Sequence, residues 1–252
     1  MSSIIHYSGP AYKYRSFGLF DDESKERIEN MFRHRQLYFS NALKFNDPFE
    51  CNPAIEYEPS EFRKYLFSIA KKKGIKVSSQ LVSQQMQEYK EFGFQGDYQK
   101  YMAKRIGICC MSKRPDIVTQ WAYYAEDGKG FCIEYEVGGF EKVGSIEVEY
   151  RGSRPIVDLV KFQKEPGYQW NKLLEIISCK ATKWAHEEEV RLFCSFIGVA
   201  TVPESVIKSI TLGASIDDKK AEWLVNVAKT HIPSIEIKKA KLCKKEFSIK
   251  ID

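Results

Sequence analysis

Residues 180–193 read KATKWAHEEEVRLF, with three consecutive glutamates between a tryptophan and an arginine. If residues 187–195 form a β-strand, alternate side chains point to opposite faces. Glu187, Glu189 and Arg191 then share one face. Two carboxylates about 7 Å apart on one face are costly to bury without a partner. An exposed edge strand carries such charges without that cost, so the stretch fits either a polar site or an edge strand.

A second polar motif, NDP, lies between Phe45 and Phe49. The proline restricts Asp47 to extended geometry, and the Asn46 and Asp47 side chains readily bond nearby backbone amides. A rigid turn of this kind either anchors a loop or holds polar groups beside a ligand. A third motif, WAYYAEDGKGFCIEY, begins at Trp121. Its aromatic helix would either stack a flat ring or pack into the core.

Patterns of strands and helices continue along the chain without internal repeats or linkers. Asp21 or Asp22 is predicted to cap a helix that runs to about Arg33, and Asp116 and Asp217 to cap two later helices. Strands are predicted at 12–17, 36–40, 106–112, 128–137, 145–151, 235–242 and 247–251, in addition to 187–195. Residues 206–213 fit either a strand or a passage from helix to strand. Residues 154–167 read as irregular.

A helical insertion is predicted at about 59–105, with helices beginning at Ser60, after Ser79 and at 97–105. The pattern as a whole predicts a single α+β domain, 1–252, with a mixed, mainly antiparallel sheet and flanking helices.

Composition limits the classes of protein that fit. Hydrophobic residues make up 43% and aromatic residues 13% of the 252 residues, enough for a packed core. No apolar run approaches the ~18 residues of a membrane span, and the N-terminus is too short in its apolar part for a signal peptide. Seven cysteines, an odd number, predict reduced thiols and a cytoplasmic location. The absence of CxxC and HExxH patterns argues against a zinc site.

The net charge of +5 is mildly basic. The lysine clusters at 71–73 and 238–245 fit solvated faces better than a nucleic-acid groove. They would still assist the approach of a phosphate-bearing substrate.

The motifs together resemble a known family. They are YKYR at 12–15, LYFSNALKFNDPFE at 37–50, WAYYAEDGKGFCIEY at 121–135, K-x3-W-x2-E-x-E-x-R at 180–191 and IKSITLG at 207–213. The set resembles the bacterial family called domain of unknown function two-nine-seven-one, from Tyr12 to Gly213. That family has no assigned activity, and its members often lie near mobile elements and phage-defence genes. The resemblance implies a bacterial protein and suggests a toxin or phage-defence effector.

A second resemblance is to ADP-ribosyltransferases, which place an Arg or His on an early strand, a Ser or Tyr on a second strand and a Glu on a later one. Arg15, Ser40 and the three glutamates follow this order, although Ser40 lacks the usual Ser-Thr-Ser context. The resemblance implies a split, mostly antiparallel sheet and NAD as substrate. It implies that Glu189 is catalytic and that Glu187 orients or deprotonates the acceptor, and the two roles are exchangeable.

The same resemblance implies a cofactor-binding set. Arg15 would hold a phosphate or the adenine ribose, and Ser40 would support the ribose. Asn46, Asp47 and Trp121 would line the pocket. Arg191 belongs to the same cofactor-binding set. The acceptor remains open between protein, nucleic acid and a small molecule.

Two other functions fit the residues. In a metal-dependent nuclease or phosphoesterase, Asp47, the glutamates and Lys180 would hold magnesium beside a phosphate. In a non-enzymatic ligand-sensing or partner-binding module, the glutamates and Arg191 would form a structural ion-pair network with Arg15 or Lys180.

Overall fold

The computed structural model describes residues 6–92, 100, 102, 104–141 and 143–252, with the backbone alone at 88–92. It divides into two compact units. The first consists of residues 1–40, 106–148 and 183–252, and the second of 41–105 and 149–182. The predicted insertion at 59–105 lies within the second unit, and most of its predicted third helix falls outside the described residues.

The first unit contains an eight-stranded sheet. From edge to edge its strands are β14 (Ile249–Ile251), β13 (Glu236–Leu242), β12 (Ile207–Leu212), β5 (Phe131–Glu136), β1 (Pro10–Arg15), β4 (Gly107–Ser112), β10 (Glu189–Cys194) and β6 (Gly144–Glu147). Neighbouring strands are antiparallel, except that β12 and β13 are parallel. A separate ladder pairs β2 (Gln36–Phe39) with β11 (Gly198–Thr201). The prediction of an α+β fold with a mainly antiparallel mixed sheet is confirmed.

Two helices of the first unit pack against the sheet and form its main core together with strand residues. They are α1 (Asp22–Arg33) and α7 (Asp218–His231). Their apolar stripes pack with strand residues such as Ile133 and Val190, which lie in the same cluster as Phe32 of α1 and Leu224 of α7. Because successive strand residues alternate between faces, the opposite face of the sheet is left for other side chains. That face carries the polar groups described below.

The α7 helix begins at a strong cap, as predicted. Asp217 lies at the N-cap, and its carboxylate accepts hydrogen bonds from the backbone N–H groups of Lys219 and Lys220 at 3.0 and 3.2 Å. We expect Asp217→Ala to lower the free energy of unfolding by about 1 kcal/mol, because two helix N–H groups lose their partner. Urea denaturation followed by circular dichroism measures the change. The matched control is Asp218→Ala, one residue later, which keeps the cap and should change stability by less than about 0.5 kcal/mol.

The predicted cap at Asp116 is wrong. The helix α4 (Val118–Tyr124) has Ile117 at its N-cap, without a side-chain hydrogen bond. The Asp116 carboxylate instead accepts two hydrogen bonds from Arg114, at 2.9 and 2.8 Å. A guanidinium two residues away offers a two-pronged, charge-assisted pairing, which is stronger than a neutral backbone bond.

The second unit combines two short parallel strand pairs with helices. Its strand pairs are β3 (Ala54–Glu56) with β8 (Ile156–Asp158), and β7 (Glu149–Arg151) with β9 (Cys179–Ala181). Its helices are α2 (Pro59–Lys72), α3 (Ser79–Phe92), α5 (Leu159–Lys164) and α6 (Pro166–Ser178). Phe62, Leu159 and Val160 form the centre of its apolar cluster. Residues 156–164 are therefore regular, where the sequence suggested an irregular segment.

No helix among the described residues is both long and apolar enough to cross a membrane. All seven cysteines lie in the described part of the chain, and each is a free thiol.

Candidate functional site

The strand β10 is an inner strand whose residues are all buried. It pairs with β4 on one side and with β6 on the other, so the edge-strand interpretation is wrong. Glu189 lies opposite Ser112 of β4, and Arg191 lies opposite Cys110. The charged residues of KWAHEEEVRLF are therefore held inside the fold.

The predicted alternation fails at its first residue, because Glu187 is not part of the strand. It ends a 3₁₀ segment, Thr182–Glu187, and β10 begins at Glu189. Between them Glu188 has φ 44°, in the left-handed region that side chains other than glycine rarely adopt. This turn separates the two neighbouring carboxylates. Glu187 and Glu189 are each 3% exposed, whereas Glu188 pairs with Arg114 at 3.1 Å near the surface.

Hydroxyl groups fix Glu187 at both its side chain and its backbone. The phenol of Tyr124, on α4, donates to the Glu187 carboxylate at 3.0 Å. Ser112 Oγ donates to the Glu187 main-chain carbonyl at 2.9 Å. The phenol is a neutral donor, so this contact orients the carboxylate without adding positive charge.

Glu189 is held by a cation. Arg191 Nε donates to Glu189 Oε1 at 2.7 Å, and Arg191 Nη2 donates to Oε2 at 3.3 Å. Arg191 is 0% exposed. Two-pronged pairing of this kind compensates much of the cost of burying both charges, and it neutralises the carboxylate. Glu189 thus pairs with an arginine, whereas Glu187 accepts a hydrogen bond from a phenol.

Glu189 also ends a line of polar residues across the sheet, which we call the polar row. Each member is the direct cross-strand neighbour of the next, so all side chains lie on one face. The polar row consists of Ser209 on β12, Glu134 on β5, Tyr12 on β1, Ser112 on β4 and Glu189 on β10.

Glu134 is a charged member of the polar row, and its neighbours and burial shift pKa values there. Its carboxylate accepts a hydrogen bond from Ser209 Oγ at 2.5 Å and one from Lys238 Nζ at 2.9 Å. Burial alone would raise the pKa of Glu134, but these two donors outweigh it and lower the pKa below its ordinary value. Burial and the charge of Glu134 raise the pKa of Tyr12 to about 12. Tyr12 is therefore a neutral hydroxyl at physiological pH.

The ladder between β1 and β4 is short. These strands pair at Tyr12 and Ser112 alone. Further along β4, an isolated bridge joins Ile108 to Ser40, and the Lys13 ammonium donates to the Cys110 carbonyl. The polar row therefore crosses from β1 to β4 at their single pair.

Two other predicted site residues of the first unit, Arg15 and Ser40, lie apart from Glu189. Arg15 is three residues from Tyr12 on β1, so it points to the face opposite the polar row. Its Nε is buried and has no hydrogen-bond partner among the described residues. Ser40 forms an isolated bridge with Ile108 of β4. Ile108 is four residues before Ser112 on the same strand, so the bridge lies about 13 Å from the polar row. The structure does not bring Arg15 and Ser40 together with Glu189.

Trp121 is a core residue. It is 2% exposed, its ring meets Tyr14 edge-on at 5.2 Å, and its Nε1 donates to the Pro115 carbonyl at 2.7 Å. Tyr124, three residues later on the same helix, is the aromatic group that reaches a carboxylate.

Asn46 and Asp47 belong to the second unit. Asn46 is exposed, while Asp47 is 4% exposed and accepts the Phe49 backbone N–H at 2.9 Å. Lys180, the cation of the nuclease hypothesis, is buried in the same unit and pairs with Glu50 at 3.8 Å. The NDP motif therefore forms the bonded turn that its residues predicted.

Sequence reasoning missed most of the hydroxyl groups. Glu134 left a usable signal, since it is the one charge within FCIEY, whose Phe131, Cys132, Ile133 and Tyr135 are buried. Ser112 and Ser209 could not be recognised from the sequence, because a serine near a strand end is common in any sheet. No family model, curated protein or solved structure matches the chain, and its function is inferred from the geometry above.

Proposed function

We propose that the chain is an NAD-using, ADP-ribosyltransferase-like enzyme that breaks the bond between nicotinamide and ribose. The observation that carries the proposal is the Glu187 carboxylate, which is 3% exposed, held by a neutral phenol and anchored to the polar row through Ser112. The resemblance in the order of Arg15, Ser40 and the glutamates along the chain supports the same function.

The reaction needs a carboxylate because positive charge develops on the ribose. The C–N bond breaks, its electron pair leaves with nicotinamide, and the ribose becomes oxocarbenium-like, as in glycoside hydrolysis. An acceptor hydroxyl, amine or water then attacks C1′ and gives up a proton. A fixed, desolvated carboxylate stabilises the cation better than water would, because it does not need to reorient.

The geometry favours Glu187 for this role, which exchanges the assignment suggested by the resemblance. Glu189 is neutralised by Arg191, so it has less negative charge to offer a developing cation. Glu187 lies outside the strand, where the Tyr124 phenol orients its carboxylate and Ser112 holds its main chain. We therefore assign Glu187 to stabilising the ribose cation and Glu189 to positioning, through the backbone that joins the two residues. Arg15 takes no part in this scheme, because it points to the other face.

Replacing Glu187 with glutamine tests the proposal. We expect Glu187→Gln to lower the rate of nicotinamide release from NAD by about 100-fold or more, because the carboxylate charge is lost while shape is kept. Release is followed by chromatography with protein, nucleic acid and water offered as acceptors. The matched control is Glu188→Gln, the adjacent residue, whose carboxylate pairs with Arg114 at the surface. This control should retain activity within about twofold.

The absence of nicotinamide release by folded wild-type protein with every acceptor would overturn the proposal. Equal losses in the two glutamine variants would also count against it, since Glu187 would then have no special role. Cleavage of nucleic acid that requires magnesium and stops with a chelator would instead favour the nuclease hypothesis.

The buried Glu189–Arg191 pair favours a second candidate, the non-enzymatic ligand-sensing or partner-binding module. In such a module these charges stabilise the fold and take no part in catalysis. Glu187→Gln and Glu189→Gln would then both lower the melting temperature, and neither would change any turnover, because the wild type would have none.

A further inference from the structure

A cavity of about 380 Å³ lies entirely within the second unit. This volume falls in the range of about 300–1,000 Å³ that is typical of small-molecule sites. Its lining includes Phe49 and Asn52 from the segment after the NDP turn, and residues 151–154, which begin at the last residue of β7. The buried pair of Lys180 and Glu50 also lines it.

Arg154 provides the positive charge of this cavity that is available to a ligand. Its guanidinium lies over the Phe49 ring at 5.7 Å, and no carboxylate among the described residues lies within ion-pair distance of it. The other cations of the lining are already paired. Arg151 bonds Glu149 at 2.7 Å and Glu175 at 2.8 Å, and Lys180 pairs with Glu50. A guanidinium without an ion-pair partner can direct its forked N–H groups at phosphate oxygens.

An unused acceptor lies in the same lining. Asn52 Oδ1 is buried and has no hydrogen-bond partner among the described residues, while its amide nitrogen donates to the Pro48 carbonyl at 3.4 Å. Leaving a buried acceptor unpaired is costly, so a ligand that brings an N–H or O–H donor would gain by occupying this position. The Phe49 ring, 60% exposed, offers an apolar surface beside Arg154.

We propose that this cavity binds a nucleoside monophosphate, with its phosphate on Arg154, a ribose hydroxyl or base amino group on Asn52 Oδ1, and its flat ring system against Phe49. Charge, unused acceptor and ring surface each match one part of such a ligand. The site is independent of the proposed NAD cleavage, and its binding can be measured without turnover.

Calorimetric titration of the full chain with AMP tests this site, with adenosine, ribose 5-phosphate and inorganic phosphate as comparison ligands. We expect AMP to bind most tightly. Arg154→Gln should weaken AMP binding about tenfold to a hundredfold, because a charge-assisted bond is lost. The control Arg63→Gln removes an exposed arginine of the same unit outside the cavity lining and should leave the affinity unchanged.

Asn52→Ala separates binding from folding. It deletes an unsatisfied buried acceptor together with one long hydrogen bond to Pro48, so the unliganded variant should keep a melting temperature near that of the wild type while AMP affinity falls about fivefold or more. The proposal is overturned if AMP does not bind to folded wild-type protein at about 1 mM. It is overturned equally if Arg154→Gln binds AMP as the wild type does, or if inorganic phosphate binds as tightly as AMP.

Discussion

Arg191→Met is expected to lower the free energy of unfolding by about 3–5 kcal/mol, because it breaks a buried ion pair by removing the cation and keeping the Glu189 carboxylate. Arg191 is 0% exposed and Glu189 3% exposed, and their shortest contact is 2.7 Å. Methionine is similarly long and flexible, so the substitution removes charge and hydrogen bonds with a limited loss of packing. Urea denaturation followed by far-ultraviolet circular dichroism measures the effect.

The double variant Glu189→Gln/Arg191→Met provides the control. Removing both charges keeps the buried charge balanced, so the double variant should be more stable than Arg191→Met by about 1–3 kcal/mol. A surface comparison is Arg33→Met, whose pair with Glu29 is half-exposed and contributes less than about 1 kcal/mol. A loss below about 1 kcal/mol in Arg191→Met would contradict the burial described for this pair.

Gly213→Ala is expected to lower the free energy of unfolding by about 3 kcal/mol or more through a clash between backbones. A Cβ atom at Gly213 would lie 2.1 Å from the Gly128 carbonyl oxygen and 2.7 Å from the Gly130 carbonyl oxygen. These atoms cannot swing aside as the end of a long side chain would. Gly213 N also donates to the Gly130 carbonyl at 2.9 Å, so relieving the clash strains a hydrogen bond.

The control for Gly213→Ala is Gly167→Ala in helix α6. A Cβ atom at Gly167 meets nothing within 4 Å, and alanine restricts the unfolded chain and favours helix. This control should raise stability by up to about 1 kcal/mol. Stability of Gly213→Ala within about 0.5 kcal/mol of the wild type would mean that the two glycine turns are not in close contact in solution.

Local patterns predicted most of the regular elements. The apolar line through Ile28 and Phe32, with Asp21 before it, led correctly to a helix that ends at Arg33. The apolar run before Ser112 led to β4. The region 156–164 was missed, because a strand of three residues and a helix of six are too short to establish a period.

The site was only partly predictable, because it depends on register between distant strands. The charges of 187–191 marked a polar feature, and their burial follows from the inner position of β10. The left-handed turn at Glu188 removed Glu187 from the strand. The segment has no glycine or asparagine, the residues that usually indicate such a turn. The pairing of Tyr12 with both Ser112 and Glu134 joins residues far apart in sequence, which periodicity does not report.

The inner position of β1 has a consequence for biosynthesis. Its partners β4 and β5 leave the ribosome roughly one hundred residues after it, which at about 5–20 residues per second is an interval of about 5–20 s. During that time an aromatic strand, PAYKYR, has no sheet to join. Such long-range pairing makes folding slow and exposes the nascent chain to aggregation. A chaperone that holds early segments should therefore raise the yield of this protein in cell-free translation.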